Sequence, residues 1–271
     1  NVEYLEVRCS PVKYAGKDMN KTEVCKIIKN SFAGFQDKLT VSLIFTVSRH
    51  GEMDQVEEHV VLAGDILKQN SENTNVPLKG FDLAGDEKSC KAAKMQQYFE
   101  PVMKECMHFT IHAGEDNPAD SIWEAVYYLG AERIGHGLTL KDNPALMEKI
   151  LDRNIALEMC PTSNFQIVGF KDNYYPSTGH LPVYPLKTYL DKGISVTVNS
   201  DNPGISDTDF TLELHKACRL TPEGLSLWEI LSIIRNSFKA SFASRDIKHD
   251  LLKKAEEKII DLLPEILTNH F

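Results

Sequence analysis

The chain has 271 residues, of which 42% are hydrophobic and 25% charged, so it can bury a sizeable core. Its formal net charge of −9 comes without a Lys/Arg-rich stripe, which argues against nucleic-acid or anionic-membrane binding. The longest clearly apolar run, Val41 to Val47, is too short to span a bilayer. Composition therefore predicts a globular protein with neither nucleic acid nor membrane as a partner.

The six cysteines have no short paired spacing, and they lie at Cys9, Cys25, Cys90, Cys106, Cys160 and Cys218. This scatter indicates reduced thiols in an intracellular protein, although an even count leaves disulfides open. We expect a cytoplasmic protein.

Short β-rich runs alternate with helical patterns along the chain. The runs predict seven strands, at Tyr4–Arg8, Val41–Phe45, Gly80–Leu83, Phe109–His112, Arg133–Gly135, Ile155–Met159 and Val196–Asn199. Between them, Ser121–Leu129 has one apolar face and a candidate cap at Asp120, and Pro144–Leu151 and Pro185–Leu190 have proline near their starts. Strands that alternate with helices predict a parallel sheet.

Two segments interrupt this alternation. Gln69–Pro77 is polar and predicts a loop, whereas Phe170–Pro185 is either a lid over a site or a packed surface excursion. From Leu225 the pattern is helical, ending in a charged amphipathic helix at Lys248–Leu263. No linker is visible, so we expect one domain over residues 1–271. Seven strand–helix units are compatible with two architectures. One is an open parallel sheet, and the other is an eight-stranded barrel that lacks one strand.

Polar residues follow several predicted strands, namely Asp82, His112 with Glu115, His136, and Asp201 with Asn202. In a parallel barrel all strands end at the same face, so these side chains are expected to meet in one pocket. One strand-end histidine is more often structural than functional. Several strands that end in the same way favour a functional site.

These residue types suit metal-assisted hydrolysis. Zinc binds imidazole nitrogen and carboxylate oxygen, which makes His112 and Asp201 candidate ligands. Glu115 could act as a general acid, and His136 could orient a water molecule or take its proton. A catalytic zinc needs at least three protein ligands, and the pattern offers two. The chain lacks the H-E-x-x-H motif of zinc proteases and the P-C-x-x-C motif of cytidine deaminases.

Taken together, the motifs resemble the adenosine deaminase family of the amidohydrolase superfamily. They occur in this order: YLEVRCSP from Tyr4, FDLAGDE from Phe81, TIHAGE from Thr110, RIGHG from Arg133, EMCPTSN from Glu158 and NSDNPG from Asn199. The resemblance covers nearly the whole chain and implies a (β/α)8 TIM barrel. It also implies a zinc-dependent hydrolase with a small purine nucleoside as its partner.

Carried over residue by residue, the resemblance implies that His112 and Asp201 bind one zinc ion. Glu115 would protonate N1 of the purine, which makes C6 electrophilic. His136 would assist the water that zinc activates, and Asp201 would also hold that water.

Further residues are implied to contact the base or to support the site. Gly85 would make a backbone contact to the purine, and Asn202 would contact its N7. Asp82, Glu158 and Ser163 would lie next to the zinc ligands and help to orient them. Arg8 is interpreted as a structural ion pair.

The family's first strand carries an H-x-H pair that supplies two more zinc ligands, and no H-x-H occurs in this sequence. The seven predicted strands correspond to the family's second to eighth. We therefore expect that the first strand and the helical region after it are missing from this chain, and that two further histidine ligands lie upstream of Asn1. The missing segment could be a separate fragment that partners this one.

The leading functional hypothesis is deamination of adenosine, and of 2′-deoxyadenosine, to inosine and ammonia. The alternative within the family is a deaminase of AMP, N6-methyl-AMP or adenine. A non-catalytic barrel that binds or signals is the alternative from another class, but four intact chemical groups, at His112, Glu115, His136 and Asp201, argue against it.

Overall fold

A computed structural model of the chain describes residues 2–35, 38–50, 53–69, 75–175 and 179–268. These residues form a seven-stranded sheet in which each strand pairs in parallel with the next along the chain. Its strands are β1 Tyr4–Cys9, β2 Thr40–Ser48, β3 Leu78–Ala84, β4 His108–Ala113, β5 Arg133–His136, β6 Ala156–Met159 and β7 Val196–Val198. All seven predicted strands are confirmed.

Helices fill the crossovers and follow the last strand. They are α1 Pro11–Tyr14, α2 Lys21–Ser31, α3 Met53–Gln69, α4 Ala92–Lys104, α5 Asp120–Tyr128, α6 Pro144–Asp152, α7 Pro161–Ile167, α8 Leu186–Asp191, α9 Pro203–Ser206, α10 Phe210–Leu220, α11 Leu227–Ala240 and α12 Arg245–Thr268. Sequential parallel strands with helical crossovers are the arrangement of a (β/α)8 barrel, and the described residues supply seven of its eight strands. None of the described helices is both long and apolar enough to cross a membrane.

The core lies between the sheet and its helices, and phenylalanines connect its layers. Phe45 of β2 meets Phe81 of β3 at 6.0 Å between ring centroids, and Phe81 meets Phe99 of α4 at 5.9 Å. All three are fully buried, and both contacts are edge-to-face, one of the geometries that aromatic rings prefer. Strands β5, β6 and β7 are buried at every residue, whereas β1 is only partly buried along its length.

The N-termini of α6 and α5 differ in whether a side chain caps the helix. Asn143 caps α6 by accepting a hydrogen bond from the backbone N–H of Leu146 at 3.0 Å. The predicted cap at Asp120 is wrong, because α5 begins at Asp120 itself and its N-cap, Ala119, has no side-chain cap. The Asp120 carboxylate lies in the first turn, where it still favours the positive end of the helix dipole.

Phe170–Pro185 packs against the protein near both ends, and most of its other described residues are exposed, so the lid stays a prediction. The buried Asp172 carboxylate accepts from Lys216 at 3.0 Å and from Arg219 at 2.6 Å, both on α10. At the other end, Tyr184 is fully buried. Most of the predicted loop at Gln69–Pro77 lies outside the described residues. The helical prediction after Leu225 is confirmed by α11 and α12.

Candidate active site

His112 lies near the carboxyl end of β4, with a buried carboxylate behind it. Its Nδ1–H donates to Asp82 Oδ1 across 2.9 Å, which leaves Nε2 available to a metal ion or substrate. Burial disfavours the charged imidazolium, but the Asp82 carboxylate outweighs this and raises the pKa of His112. Asp82 is itself held by Arg8, at 3.2 Å. Arg8 also pairs with Glu158, which agrees with its interpretation as a structural ion pair.

The turn after β4 is held by two charged side chains that the sequence analysis did not single out. Glu87 accepts the backbone N–H of Gly114 with one carboxylate oxygen and that of Glu115 with the other, each at 2.8 Å. Arg49 donates to the backbone oxygen of His112 at 2.7 Å. Glu87 lies within a quoted motif, whereas no sequence pattern marks Arg49. Together they fix the backbone that carries His112 and Glu115.

The Glu115 carboxyl is largely buried, and no described Lys or Arg forms an ion pair with it. Burial raises the pKa of Glu115 to about 7 against the lowering effect of the His112 charge, and the negative charges of Asp201 and Glu87 act in the same direction as burial. Asn164 donates to its Oε1 at 3.3 Å. A carboxyl group that keeps its proton near neutral pH can serve as a general acid.

His136 closes β5 in a left-handed backbone conformation, with φ of +68°. Its ring is buried and meets the ring of His112 edge-to-face, with 5.0 Å between centroids. Burial lowers the pKa of His136 well below its ordinary value, and the positive charges of His112 and Arg8 lower it further. The Nδ1 atom of His136 is 2.9 Å from the side-chain amide nitrogen of Asn164.

The remaining predicted site residues lie at the same end of the sheet. Asp201 follows β7 in a left-handed conformation (φ +53°), is exposed, and accepts a hydrogen bond from Asn202 at 3.2 Å. Its charge raises the pKa of Glu115, after the larger effect of burial. Gly85 follows β3 with φ of +96°, and a Cβ there would lie 2.9 Å from the ring of His50. Only glycine suits that turn.

The metal-binding capacity of the described residues is partial. They contain no group of three or more His, Cys, Asp or Glu side chains that could hold a metal ion. His112, with a carboxylate on its Nδ1, has the environment of a zinc ligand, and Asp201 offers a second donor. Two donors are one fewer than a catalytic zinc requires, so the described residues do not complete a zinc site by themselves.

Comparison with known proteins decides the family. The family model described as adenosine deaminase matches residues 1–258. This chain belongs to the adenosine deaminase family. The adenosine deaminase of Clostridium acetobutylicum is 31% identical over 257 residues, which cover 94% of this chain and 72% of that protein. The adenosine deaminase of Enterococcus faecalis is 30% identical over 258 residues, which cover 94% of this chain and 71% of that protein.

Solved structures of two deaminases and an amidohydrolase share the fold. The adenine deaminase of Arthrobacter aurescens superposes with a TM-score of 0.81 at 23% identity, covering 95% of this chain and 74% of that one. The N6-methyl-AMP deaminase of Arabidopsis thaliana gives 0.77 at 21% identity, with coverage of 95% and 73%. An amidohydrolase of Burkholderia ambifaria, solved with bound Zn, gives 0.79 at 17% identity, with coverage of 99% and 71%.

The contacts of Glu87 predict the effect of Glu87→Gln. A glutamine offers one oxygen where the carboxylate offers two, so one backbone N–H of the turn loses its contact with residue 87, although the N–H of Gly114 also has Ser121 Oγ at 3.0 Å. We expect the free energy of unfolding to fall by about 1–3 kcal/mol, and amide hydrogen exchange at Gly114 or Glu115 to accelerate. Glu148→Gln, on the exposed face of α6, is the matched control. Unchanged exchange at both amides would refute the assigned contact.

Proposed function

We propose that this protein catalyses the hydrolytic deamination of adenosine and 2′-deoxyadenosine, which yields inosine or 2′-deoxyinosine and ammonia. The observation that carries the proposal is Glu115, a buried carboxyl whose pKa is raised to about 7, beside two histidines at the carboxyl ends of β4 and β5. The similarity to curated adenosine deaminases, at 31% and 30% identity, favours the nucleoside as substrate.

The side chains divide the reaction between them. Glu115 donates its proton to N1 of the purine, which withdraws electrons from C6. Water then adds to C6, one of its protons leaves with the amino group as ammonia, and the other returns to Glu115, while N1 keeps the proton it received. His136 lies beside Glu115, with 3.5 Å between its Nδ1 and Glu115 Oε1, and orients the attacking water. The Glu87 and Arg49 contacts keep the turn that carries Glu115 fixed while its proton transfers.

Zinc is the cofactor we propose, and His112 and Asp201 are the residues of this chain that would hold it. When bound, zinc supplies a water molecule that ionises near neutral pH. The Asp82 carboxylate would orient His112 by fixing the proton on Nδ1. At least one further ligand must come from outside the described residues.

Purine specificity is tested by presenting four substrates to protein expressed from its complete coding sequence. Adenine and N6-methyl-AMP are included because proteins of the same fold act on them. We expect kcat/KM for adenosine to exceed the values for AMP, N6-methyl-AMP and adenine. A higher value for any of these three would reassign the substrate within the family. If adenosine, AMP and adenine released no ammonia and N6-methyl-AMP released no methylamine, a non-catalytic barrel would be favoured.

Replacing Glu115 with glutamine should remove the proton donor and keep the shape of the side chain. General acid catalysis contributes about 10²–10⁴-fold, and we expect kcat to fall by about that factor with little change in substrate binding. Steady-state kinetics and inhibitor titration measure both effects, with Glu148→Gln as control. A variant that keeps more than roughly a tenth of the wild-type rate contradicts the assigned role.

His112→Ala and Asp201→Ala should each abolish zinc binding and activity, because each removes a ligand from a site without a spare one. His108→Ala is the matched control, since His108 lies on the same strand but at its other end, paired with Glu132 at 2.9 Å. Metal analysis of the purified variants is the measurement. Full zinc occupancy in either variant would remove that residue from the ligand set.

Asn202 generates a prediction about N7 of the purine, which only accepts hydrogen bonds. An asparagine amide can donate to N7 at any pH, so 7-deazaadenosine should be a poor substrate. The loss should be about 1–3 kcal/mol, or roughly 5- to 150-fold in kcat/KM. Asn202→Leu should lose a similar factor on adenosine and little more on the analogue. If the two losses add, Asn202 does not contact N7.

A further inference from the structure

Asn164 is a fully buried residue of α7 that connects both candidate catalytic side chains. Its Nδ2 lies 2.9 Å from His136 Nδ1 and 3.3 Å from Glu115 Oε1. Its Oδ1 lies 2.9 Å from the Tyr184 hydroxyl and 3.2 Å from the backbone nitrogen of Cys160. All the hydrogen-bonding capacity of this amide is therefore directed at four fixed partners.

We propose that Asn164 is a positioning residue that holds the neutral ring of His136 as its Nε2–H tautomer, so that His136 acts as a hydrogen-bond donor. The catalytic part of this inference rests on the proposed deamination. The tautomer itself follows from the hydrogen-bond network, and it can be tested without any assay of activity.

The orientation of the Asn164 amide is fixed by a backbone group. The oxygen and nitrogen of an asparagine side chain have nearly the same shape, so the partners must decide which is which. The backbone N–H of Cys160 can only donate, and it therefore requires the oxygen of Asn164. The Tyr184 hydroxyl contacts the same oxygen and can also donate to it. The amide nitrogen must then face His136 and Glu115.

The tautomer of His136 follows from that orientation. The amide nitrogen only donates, so His136 Nδ1 must accept and cannot carry a proton. The Nδ1–H tautomer and the doubly protonated ring are both disfavoured, since each would place two N–H groups 2.9 Å apart and leave Nδ1–H only Glu115 Oε1, at 3.5 Å, as an acceptor. The single proton of the neutral ring lies on Nε2. The second N–H of Asn164 points at Glu115 and fixes the position of that carboxyl.

This tautomer decides between the two roles predicted for His136, which were to orient a water molecule or to take its proton. A nitrogen that already carries a proton cannot take another from water, so the ring acts as a donor that orients the attacking oxygen. The link also extends outward, because Tyr184 belongs to the Phe170–Pro185 excursion and contacts Asn164 from the side opposite the two catalytic groups. Tyr184 thus supports the orientation of His136 through one amide.

Nuclear magnetic resonance of ¹⁵N-histidine-labelled protein measures the tautomer directly, because protonated and bare ring nitrogens have well-separated shifts. The chain contains nine histidines, and comparison with His136→Gln assigns the signals of His136. In protein expressed from its complete coding sequence, we expect a bare Nδ1 and a protonated Nε2 for His136. A protonated Nδ1 in the wild-type protein overturns the proposal without further variants.

Asn164→Asp tests the cause of the tautomer. A carboxylate keeps an acceptor for Cys160 and Tyr184 but offers no N–H to His136, so the proton should move to Nδ1. The kcat value should fall roughly 5- to 150-fold, the range expected for loss of one buried hydrogen bond. Asn143→Asp, at the cap of α6, is the matched control and should change neither. An unchanged tautomer in Asn164→Asp overturns the proposal.

Tyr184→Phe is a second variant that tests the proposal if Asn164→Asp fails to fold. It removes one donor to Asn164 Oδ1 but leaves the Cys160 N–H, so the wild-type tautomer should persist. A switched tautomer in this variant would show that the backbone group does not fix the amide, and would refute the argument. If the tautomer is as stated but no purine is deaminated, the proposed function fails and the positioning role stands.

Discussion

Buried charges inside the sheet must be paired, and this constraint organises the rest of the site. Arg8 on β1 contacts the carboxylates of Asp82 and Glu158, and Arg133 on β5 contacts Glu158 at 2.9 Å and Glu6 at 2.6 Å. Burial alone would raise the pKa of Glu158, but the two arginines outweigh it and lower that pKa. Removing one partner would leave an uncompensated charge, which is strongly destabilising. The network therefore joins β1, β3, β5 and β6 in one arrangement.

The same pairing rule explains why the pKa values of two carboxyl groups at this end of the sheet shift in opposite directions. Asp82 and Glu115 are both mostly buried, and burial opposes the ionised form of each. Asp82 has His112 and Arg8 in direct contact, which lower its pKa, whereas for Glu115 the effect of burial outweighs the more distant charge of His112 and raises its pKa to about 7. Environment thus favours the ionised form of Asp82 beside His112 and the protonated form of Glu115, as the proposed role of general acid requires.

A chain of contacts carries this order from the interior to the proposed chemistry. Asp82 fixes the ring of His112, Glu87 fixes the backbone of Glu115, and Asn164 links Glu115 with His136. Each supporting residue is buried and has defined partners. Such support holds reacting groups within the small tolerances that catalysis requires. The family membership of the chain and its site geometry therefore favour the same reaction class, hydrolysis at a purine.

The sequence by itself determined the seven strands, because apolar periodicity is a local property, and it placed His112, His136 and Asp201 at strand ends. It also carried the family motifs. Only the tertiary structure showed the roles of Arg49 and Asn164, since their contacts join residues separated by 63 and 28 positions in the chain. Such contacts depend on how strands and turns meet in space. Local patterns carry no record of that geometry, and so hydrogen-bond partners, buried charge pairs and the tautomer of a ring emerge only when the chain is folded.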